Sequence, residues 1–137
     1  MTFLLDTNVL SELRKKRPDP AVLTWFDSTR SDDLYLSVLV LGEIQQGIER
    51  LRRREPTRAS VYAGWLESLR QDFADRLLPV SEAVALEWGR LAGATPAVPP
   101  IGGLLAATAR VHGLTLVTRN VADVARTGVA TLDPFGK

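Results

Sequence analysis

At 137 residues, the chain is long enough to build a hydrophobic core, and residues 1–137 are predicted to form a single domain. Its 45% hydrophobic and 24% charged residues are typical of globular proteins, and neither a membrane span nor a secretory signal is recognisable, so we expect a cytoplasmic protein that does not enter a membrane. The chain has no cysteine and a single histidine, which excludes disulfides, thiolate metal sites and His-rich zinc sites and leaves oxygen-ligated ions such as Mg²⁺ or Mn²⁺.

The N-terminal half of the chain alternates short apolar runs with helical patterns, which is typical of a parallel sheet covered by helices. Ser37 is a favourable N-cap, and the apolar residues after it recur every three or four positions, as on the core face of a helix. Prolines at 18, 20 and 56 interrupt the helical patterns. The predicted strands are 3–5 and 34–36, and the predicted helices are 7–13, 21–28, 37–54 and 57–73.

The C-terminal half continues the alternation. Ser81 is predicted to cap a helix that ends at Gly93, and Gly113 suits the position just after the end of a second helix. The apolar stripes of the helices include Trp25, Trp65 and Trp88, which we expect in the core. The predicted elements are an edge strand at 77–80, a proline-rich loop at 95–100, a helix at 101–112, a strand at 114–117, a short helical piece at 119–125 and a strand at 129–132.

The basic residues are clustered although the net charge is only +1. One run covers positions 14–17, and another lies at positions 50–54. Both runs suit a phosphate backbone or an acidic protein partner. Solvated helix ends are the simpler interpretation, because cations are favoured at helix C-termini, and this interpretation accounts for most of the pattern.

Polar residues follow two of the predicted strands at the point where each strand ends. Asp6, Thr7 and Asn8 come after the first strand, and Thr118 and Asn120 come after the strand at 114–117. Asp123 lies shortly beyond the second of these segments. Ligands of open parallel sheets bind beyond the carboxyl ends of the strands, so Asp6 and Asp123 would overhang one crevice if the two strands are neighbours. The alternative is that these residues only cap short helices.

Glu43 is the third candidate acid. It lies about 100° around its helix from the core residue Ile44 and shares a face with Gly47. A glycine inside a helix costs about 1 kcal/mol relative to alanine, which favours a position that something must approach closely. Alone, Glu43 would be interpreted as a surface acid near Arg50. Together with a carboxylate after each of two strands, it is interpreted as part of a site.

Three segments, LLDTNVLSEL, VLGEIQQGI and LLAATARVHGLTLVTRNVADV, together resemble the PIN-domain ribonucleases, specifically the VapC- or FitB-type toxins of bacterial type II toxin–antitoxin pairs. The resemblance runs nearly end to end and implies a three-layer α/β/α sandwich on a mostly parallel twisted sheet. It also implies a cognate VapB-like antitoxin protein, an RNA substrate and a homodimer. The helix at 57–73 is a candidate contributor to the dimer, and the alternative is that its apolar stripe belongs to the core.

The resemblance assigns roles to the polar residues. Asp6, Glu43 and Asp123 match the acids that bind one or two Mg²⁺ or Mn²⁺ ions for hydrolysis of RNA phosphodiesters. The residues that would orient these acids, water or phosphate are Thr7, Asn8, Thr118 and Asn120. Such an ion lowers the pKa of its water and neutralises developing charge, as phosphodiester hydrolysis requires.

One position departs from the family pattern. The family has an aspartate in the loop before the LLAATA helix, where this chain has Gly102. The acid was replaced deliberately to spare an expression host, or the chain is a degenerate toxin that only binds its antitoxin, or three acids suffice with water in the vacant position. Loss of an ion ligand should cost at least 10–100-fold, so we expect weak or absent nuclease activity.

Other enzymes with an aspartate after the first strand fit poorly. Haloacid-dehalogenase-type phosphatases require a second aspartate two residues later, where this chain has Asn8. These phosphatases and response-regulator receivers also require a lysine on a later strand. Between Lys16 and the final residue, Lys137, the sequence contains no lysine.

Overall fold

The computed structural model describes residues 1–136, and within this range five strands form one sheet in the order β3-β2-β1-β4-β5. All four strand pairings are parallel, with Leu5 of β1 opposite Val117 of β4. The strands are β1 (Phe3–Leu5), β2 (Leu34–Ser37), β3 (Leu77–Leu78), β4 (Thr115–Val117) and β5 (Thr131–Leu132). The predicted parallel sheet is therefore confirmed, with the predicted edge strand at one edge and reduced to two residues.

Helices cover both faces of the sheet, as in the predicted α/β/α sandwich. The chain builds β1, β2 and β3 outward on one side and then returns past β1 to add β4 and β5, so right-handed crossovers put the helices before β3 and those after it on opposite faces. The helices are α1 (Thr7–Leu13), α2 (Pro20–Asp27), α3 (Val38–Arg52), α4 (Pro56–Asp72), α5 (Glu82–Ala94), α6 (Pro100–His112) and α7 (Val121–Val124), with 3₁₀ turns at Ser31–Asp33 and Ala125–Thr127.

Local chemistry explains most of the helix boundaries. The Ser37 hydroxyl accepts a hydrogen bond from the Leu39 amide and caps α3, and the Ser81 hydroxyl caps α5 in the same way. Gly113 ends α6 in the left-handed conformation with φ of 67°, as predicted. The prediction that Gly93 ends α5 is wrong, because the helix continues through Gly93 to Ala94 and ends at Thr95.

The core lies on both faces of the central strands. All three residues of β1 are buried, and the side chains of Leu4 and Leu5 are completely enclosed, as expected for a central parallel strand. Trp25 and Trp65 are partly buried and pack against the core, as predicted. Trp88 is 36% exposed, so the expectation that it belongs to the core is wrong. Within the described range, none of the helices combines the length and apolar character needed to cross a bilayer.

Candidate functional site

The polar segments after β1 and β4 lie side by side at the carboxyl edge of the sheet. The two strands are parallel neighbours, and the Asp6 amide continues their pairing by donating to the Val117 carbonyl oxygen at 2.9 Å. The strand order reverses direction between β1 and β4. This switch point is where open α/β sheets bind ligands, so the fold itself creates the crevice that the sequence predicted.

Both carboxylate oxygens of Asp6 are held in place. Oδ1 accepts a hydrogen bond from the Thr7 amide at 2.7 Å, so Asp6 is the N-cap of α1. Oδ2 accepts a hydrogen bond from Thr118 Oγ1 at 2.7 Å and a longer one from Asn8 Nδ2 at 3.4 Å. The capping role and the predicted site role therefore fall on one carboxylate, whose position both strand ends determine.

Thr118 is the buried link between the two polar segments. It is only 2% exposed, and besides donating to Asp6 its hydroxyl accepts a hydrogen bond from the Asn120 amide at 3.0 Å. The neighbouring amide of Arg119 donates to Asn8 Oδ1 at 3.4 Å. Because these bonds cross from β4 to the start of α1, they fix the orientation of the Asp6 carboxylate.

Glu43 reaches the same site from α3. Its Oε1 accepts a hydrogen bond from Thr7 Oγ1 at 2.6 Å, so Thr7 contacts Asp6 through its amide and Glu43 through its hydroxyl. Among residues 1–136, Glu43 forms no ion pair with Arg50, the contact expected of an ordinary surface acid. Glu43 is half-buried and fixed by a side chain of the site.

One cavity of about 510 Å³ unites the predicted site residues. Asp123, in α7, belongs to its lining, and the residue is exposed. The lining includes the three candidate acids, the four predicted polar residues and the glycine that stands where the family has an aspartate: Asp6, Glu43, Asp123, Thr7, Asn8, Thr118, Asn120 and Gly102. These residues come from five segments of the chain, and the topology brings all of them to one edge of the sheet.

The lining contains the types of ligand atom that a hard divalent cation prefers, but too few acidic side chains lie close together. Its carboxylate, hydroxyl and amide oxygens are the ligands that Mg²⁺ and Mn²⁺ prefer. Within residues 1–136, however, no three acidic, histidine or cysteine side chains lie close enough together to form one metal-holding group. The assignment of Asp6, Glu43 and Asp123 as metal ligands therefore stays a prediction.

Gly102 occupies the third position of α6, because the helix begins at Pro100, one residue before the predicted start at 101. The N-cap is Pro99, which provides no side-chain hydrogen bond, and the first turn contains no acid. A Cβ atom at Gly102 would meet only Val124 Cγ1 at 3.6 Å, an ordinary contact. A carboxylate at this position would therefore find room in the cavity and would face the positive end of the helix dipole.

The adjacent Gly103 has a packing reason that the sequence did not reveal. A Cβ atom there would lie 3.2 Å from Trp88 Cδ1 and 3.3 Å from Trp88 Nε1. The indole of α5 thus rests on the backbone of α6, and a Cβ atom at Gly103 would require Trp88 to shift by a few tenths of an ångström. The two glycines are therefore not equivalent, because a side chain at Gly103 would press on the indole and one at Gly102 would make only an ordinary contact.

Sequence analysis missed Ser11, which lines the cavity one helical turn after Thr7. The i, i+4 spacing from Thr7 was the available signal, since residues four apart lie on one face of a helix. The glycine at 47 was assigned to a close approach beside Glu43. A Cβ atom at Gly47 would meet nothing within 4 Å, and the residue instead lines a second cavity that adjoins the first.

Comparisons with known proteins identify the family to which this fold belongs. Residues 3–128 match the family model described as PIN domain. The chain is 31% identical over 137 residues to "Toxin FitB" of Neisseria gonorrhoeae, covering 97% of this chain and 98% of that protein. It is 33% identical over 138 residues to "VapC ribonuclease Y4jK" of Sinorhizobium fredii, covering 97% of each. The crystal structure of FitAcB from Neisseria gonorrhoeae superposes with a TM-score of 0.89 at 33% identity, covering 97% of this chain and 98% of that one.

Proposed function

The chain belongs to the PIN-domain family, and from that premise we propose that it is the toxin of a toxin–antitoxin pair, built as a metal-dependent endoribonuclease and impaired at Gly102. Relatives named as a toxin and as a VapC ribonuclease, each matched over almost the whole chain, support this proposal. The observation that carries it is the cavity at the switch point of the sheet, which Asp6, Glu43 and Asp123 line together.

In this proposal, the chain's own groups prepare the site. Thr118 and the Thr7 amide hold the Asp6 carboxylate, and the Thr7 hydroxyl holds that of Glu43, so two acids are oriented before any ligand arrives. Asp6, Glu43 and Asp123 would hold Mg²⁺ or Mn²⁺. A bound ion would supply positive charge against the developing charge of the phosphodiester and would make a water molecule more acidic. Asn8 and Asn120 offer amides that can orient phosphate or water.

Gly102 explains why the acidic group is incomplete. An aspartate there would add a carboxylate to the lining of the cavity, and its Cβ atom would make only an ordinary contact with Val124. Without it, ion affinity and hydrolysis should both fall, because fewer carboxylate oxygens remain to share an ion. The chain as it stands is therefore expected to cut RNA weakly or not at all.

A second candidate function is a PIN-fold module that binds its antitoxin and does not cut. The absence of a three-acid metal-holding group among residues 1–136 favours this candidate. The acids would then serve as an electrostatic target for a cationic side chain of the antitoxin. The antitoxin and a homodimeric assembly belong to both candidates, whereas an RNA substrate belongs only to the first.

The two candidates are separated by comparing this chain with its Gly102→Asp variant. Calorimetric titration with Mn²⁺ reports ion binding, and a labelled RNA reports cleavage. Induction in a bacterial host reports toxicity, which should be stronger for the variant and relieved when the antitoxin is co-expressed. A large gain in all three measurements supports the nuclease. No gain in ion binding or cleavage supports the binding module.

A further inference from the structure

Asp123 differs from the other two candidate acids in how its carboxylate is held. The carboxylates of Asp6 and Glu43 both accept hydrogen bonds from residues of the site. Asp123 is exposed, and among residues 1–136 no group forms a hydrogen bond or an ion pair with its side chain. The place of this carboxylate in the cavity that the three acids line, the acidic cavity, therefore depends on the backbone that carries it.

The backbone around Asp123 is a short segment, residues 121–128, which contains α7, the 3₁₀ turn at Ala125–Thr127 and the glycine that ends this turn. We call it the Asp123 segment. The helix α7 has four residues, and its N-cap Asn120 provides no side-chain hydrogen bond. A single turn fixes several residues for very few hydrogen bonds, so it is not stable by itself. Contacts with the rest of the fold must therefore hold the Asp123 segment in place.

Thr127 holds the Asp123 segment together from within. It is buried, and its hydroxyl donates to the Val124 carbonyl oxygen at 2.6 Å and accepts a hydrogen bond from the Val129 amide at 3.3 Å. Val124 is itself buried and lies next to Gly102. Because Thr127 and Val124 are joined in this way, a displacement of Thr127 would also displace Asp123, the residue before Val124.

Arg110, on α6, connects this segment to the rest of the fold. Its Nη1 donates a hydrogen bond to the Thr127 carbonyl oxygen at 2.9 Å. Within the described range, this is the only hydrogen bond between the Asp123 segment and a residue outside 120–129, and no ion pair joins the two parts. The acceptor is the last carbonyl of a 3₁₀ turn, a group that lacks a partner within its own turn and carries partial negative charge. A cationic donor is therefore suited to it.

Glu87, on α5, holds the guanidinium group of Arg110. The Glu87 side chain is only 16% exposed, and its Oε2 lies 3.2 Å from Arg110 Nε. Its other oxygen, Oε1, accepts a hydrogen bond from Arg90 Nε at 3.0 Å. Because the N–H groups of a guanidinium form a rigid planar fork, contact of Nε with Glu87 helps to direct Nη1 towards Thr127. The three residues thus link α5, α6 and the Asp123 segment.

We propose that Arg110, held by Glu87, is a positioning residue that fixes the Asp123 segment and so keeps the Asp123 carboxylate at the acidic cavity. This inference rests on the proposed function, because it takes Asp123 as a ligand of the ion. Arg110 itself does not line the acidic cavity, so its effect on the ion passes through the backbone of the segment. Arg90 provides a matched comparison, since it pairs with the same carboxylate and, among residues 1–136, forms no hydrogen bond with the segment.

The first test needs no metal. Amide hydrogen exchange, followed by NMR, compares the unsubstituted chain with Arg110→Ala and Arg90→Ala. Amides of the Asp123 segment should exchange about tenfold or more faster in Arg110→Ala, because local opening of the segment no longer breaks a hydrogen bond to a charged donor. In Arg90→Ala their exchange should stay within about twofold of the unsubstituted chain, since opening leaves the Arg90 ion pair intact. Continued protection of the β1 amides shows that each variant is folded.

The second test asks whether Arg110 acts through Asp123. Calorimetric titration with Mn²⁺ uses the Gly102→Asp background, in which the proposed site has its full set of acids. Arg110→Ala should lower Mn²⁺ affinity by about tenfold, as is typical when a group that orients an ion ligand is lost, whereas Arg90→Ala should lower it by less than about twofold. Once Asp123→Asn has removed the carboxylate, Arg110→Ala should cause almost no further loss, because the two residues belong to one path. General damage to the fold would lower affinity in either background.

Equal exchange of the Asp123 segment in Arg110→Ala and Arg90→Ala would overturn the proposal, because Arg110 would then be an ordinary surface ion pair. An undiminished effect of Arg110→Ala on Mn²⁺ affinity in the Asp123→Asn protein would overturn it as well. If the Gly102→Asp protein binds no Mn²⁺ but Arg110→Ala alone still accelerates exchange of the segment, the proposed nuclease function fails while the assignment of Arg110 to the segment stands.

Discussion

Replacing Gly102 with aspartate is a substitution that the structure can accommodate and that bears directly on the proposed site. The new Cβ atom would lie 3.6 Å from Val124 Cγ1 and near no other atom, so the substitution needs no rearrangement of the fold. The carboxylate would enter the cavity that Asp6, Glu43 and Asp123 already line. It would also be the first acid in the first turn of α6.

The expected effects follow from these surroundings. Relief of the glycine penalty and interaction with the helix dipole should each stabilise the fold by less than about 1 kcal/mol, and repulsion by the nearby acids opposes both. We therefore expect the free energy of unfolding without metal to change by no more than about 1 kcal/mol. Mn²⁺ should stabilise the variant more than the unsubstituted chain, since a ligand of the native state raises stability with its affinity.

Hydrolysis should respond far more strongly than stability. Restoring an ion ligand should raise Mn²⁺ affinity and RNA cleavage by at least about 10–100-fold. The assay compares initial rates of cleavage of a labelled RNA at saturating Mn²⁺, together with calorimetric titration of the ion. Gly102→Asn is the matched control, because it has the same shape as the aspartate and lacks its charge.

Equal rates for the aspartate and asparagine variants would refute the reasoning. Such a result would mean that the carboxylate does not reach a bound ion, and that the acidic cavity is not a metal site of the kind proposed. A gain that appears with the aspartate alone, and requires the divalent ion, would support the assignment of the cavity.

Three further changes test the site and its frame. Thr118→Val removes a buried hydrogen bond to the Asp6 carboxylate and should cost about 1.5–3 kcal/mol in urea unfolding, with lower Mn²⁺ affinity. Leu4→Ala leaves a cavity in the central strand and should cost about 2–5 kcal/mol. Hydrogen bonds from Lys15 and a backbone amide hold the pKa of the Glu12 carboxyl below its usual range, so the stability advantage of the unsubstituted chain over Glu12→Gln should be full at neutral pH and disappear on acidification below about pH 4.3.

Each of these changes has a matched control in the same fold. Thr108→Val removes a buried hydroxyl that bonds only to its own helix at the Leu104 carbonyl, so it should cost much less than Thr118→Val. Leu86→Ala alters a side chain that is 56% exposed and should change stability by less than about 0.5 kcal/mol. Glu67→Gln breaks an exposed ion pair and should leave the acid dependence of stability nearly unchanged. If a control substitution lowers stability as much as the substitution with which it is paired, the contacts assigned to these residues are wrong.

Much of the fold was predictable because the local signals and the global pattern agree. Phe3–Leu5 is uniformly apolar and then gives way to Asp6, so both the buried strand and the cap of α1 could be identified. Ser37, Ser81 and Gly113 marked helix ends correctly, because capping depends on side chains and backbone geometry within one turn. Gly93 failed as a marker, since a glycine is also tolerated inside a helix and the sequence does not show which case applies.

The site was predictable where its residues follow strands, and less so where it depends on tertiary packing. Adjacent parallel strands bring their carboxyl ends together, which is why Asp6 and Asp123 could be expected at one crevice if β1 and β4 were neighbours. The second cavity escaped prediction because α1, α3 and α4 each contribute part of it. Trp88 lies on the apolar stripe of its helix, so it was predicted to be in the core. Its ring instead packs against the backbone at Gly103, a contact that sequence periodicity does not reveal.

The difference between the two glycines of α6 has a genetic consequence. A side chain at Gly103 would require Trp88 to shift, whereas one at Gly102 would make only an ordinary contact with Val124. The glycine codons GGU and GGC become the aspartate codons GAU and GAC through one base change. Under the proposed function, a lineage with those codons could regain nuclease activity in one step, and a cell that kept the neutralising protein would be protected when it did.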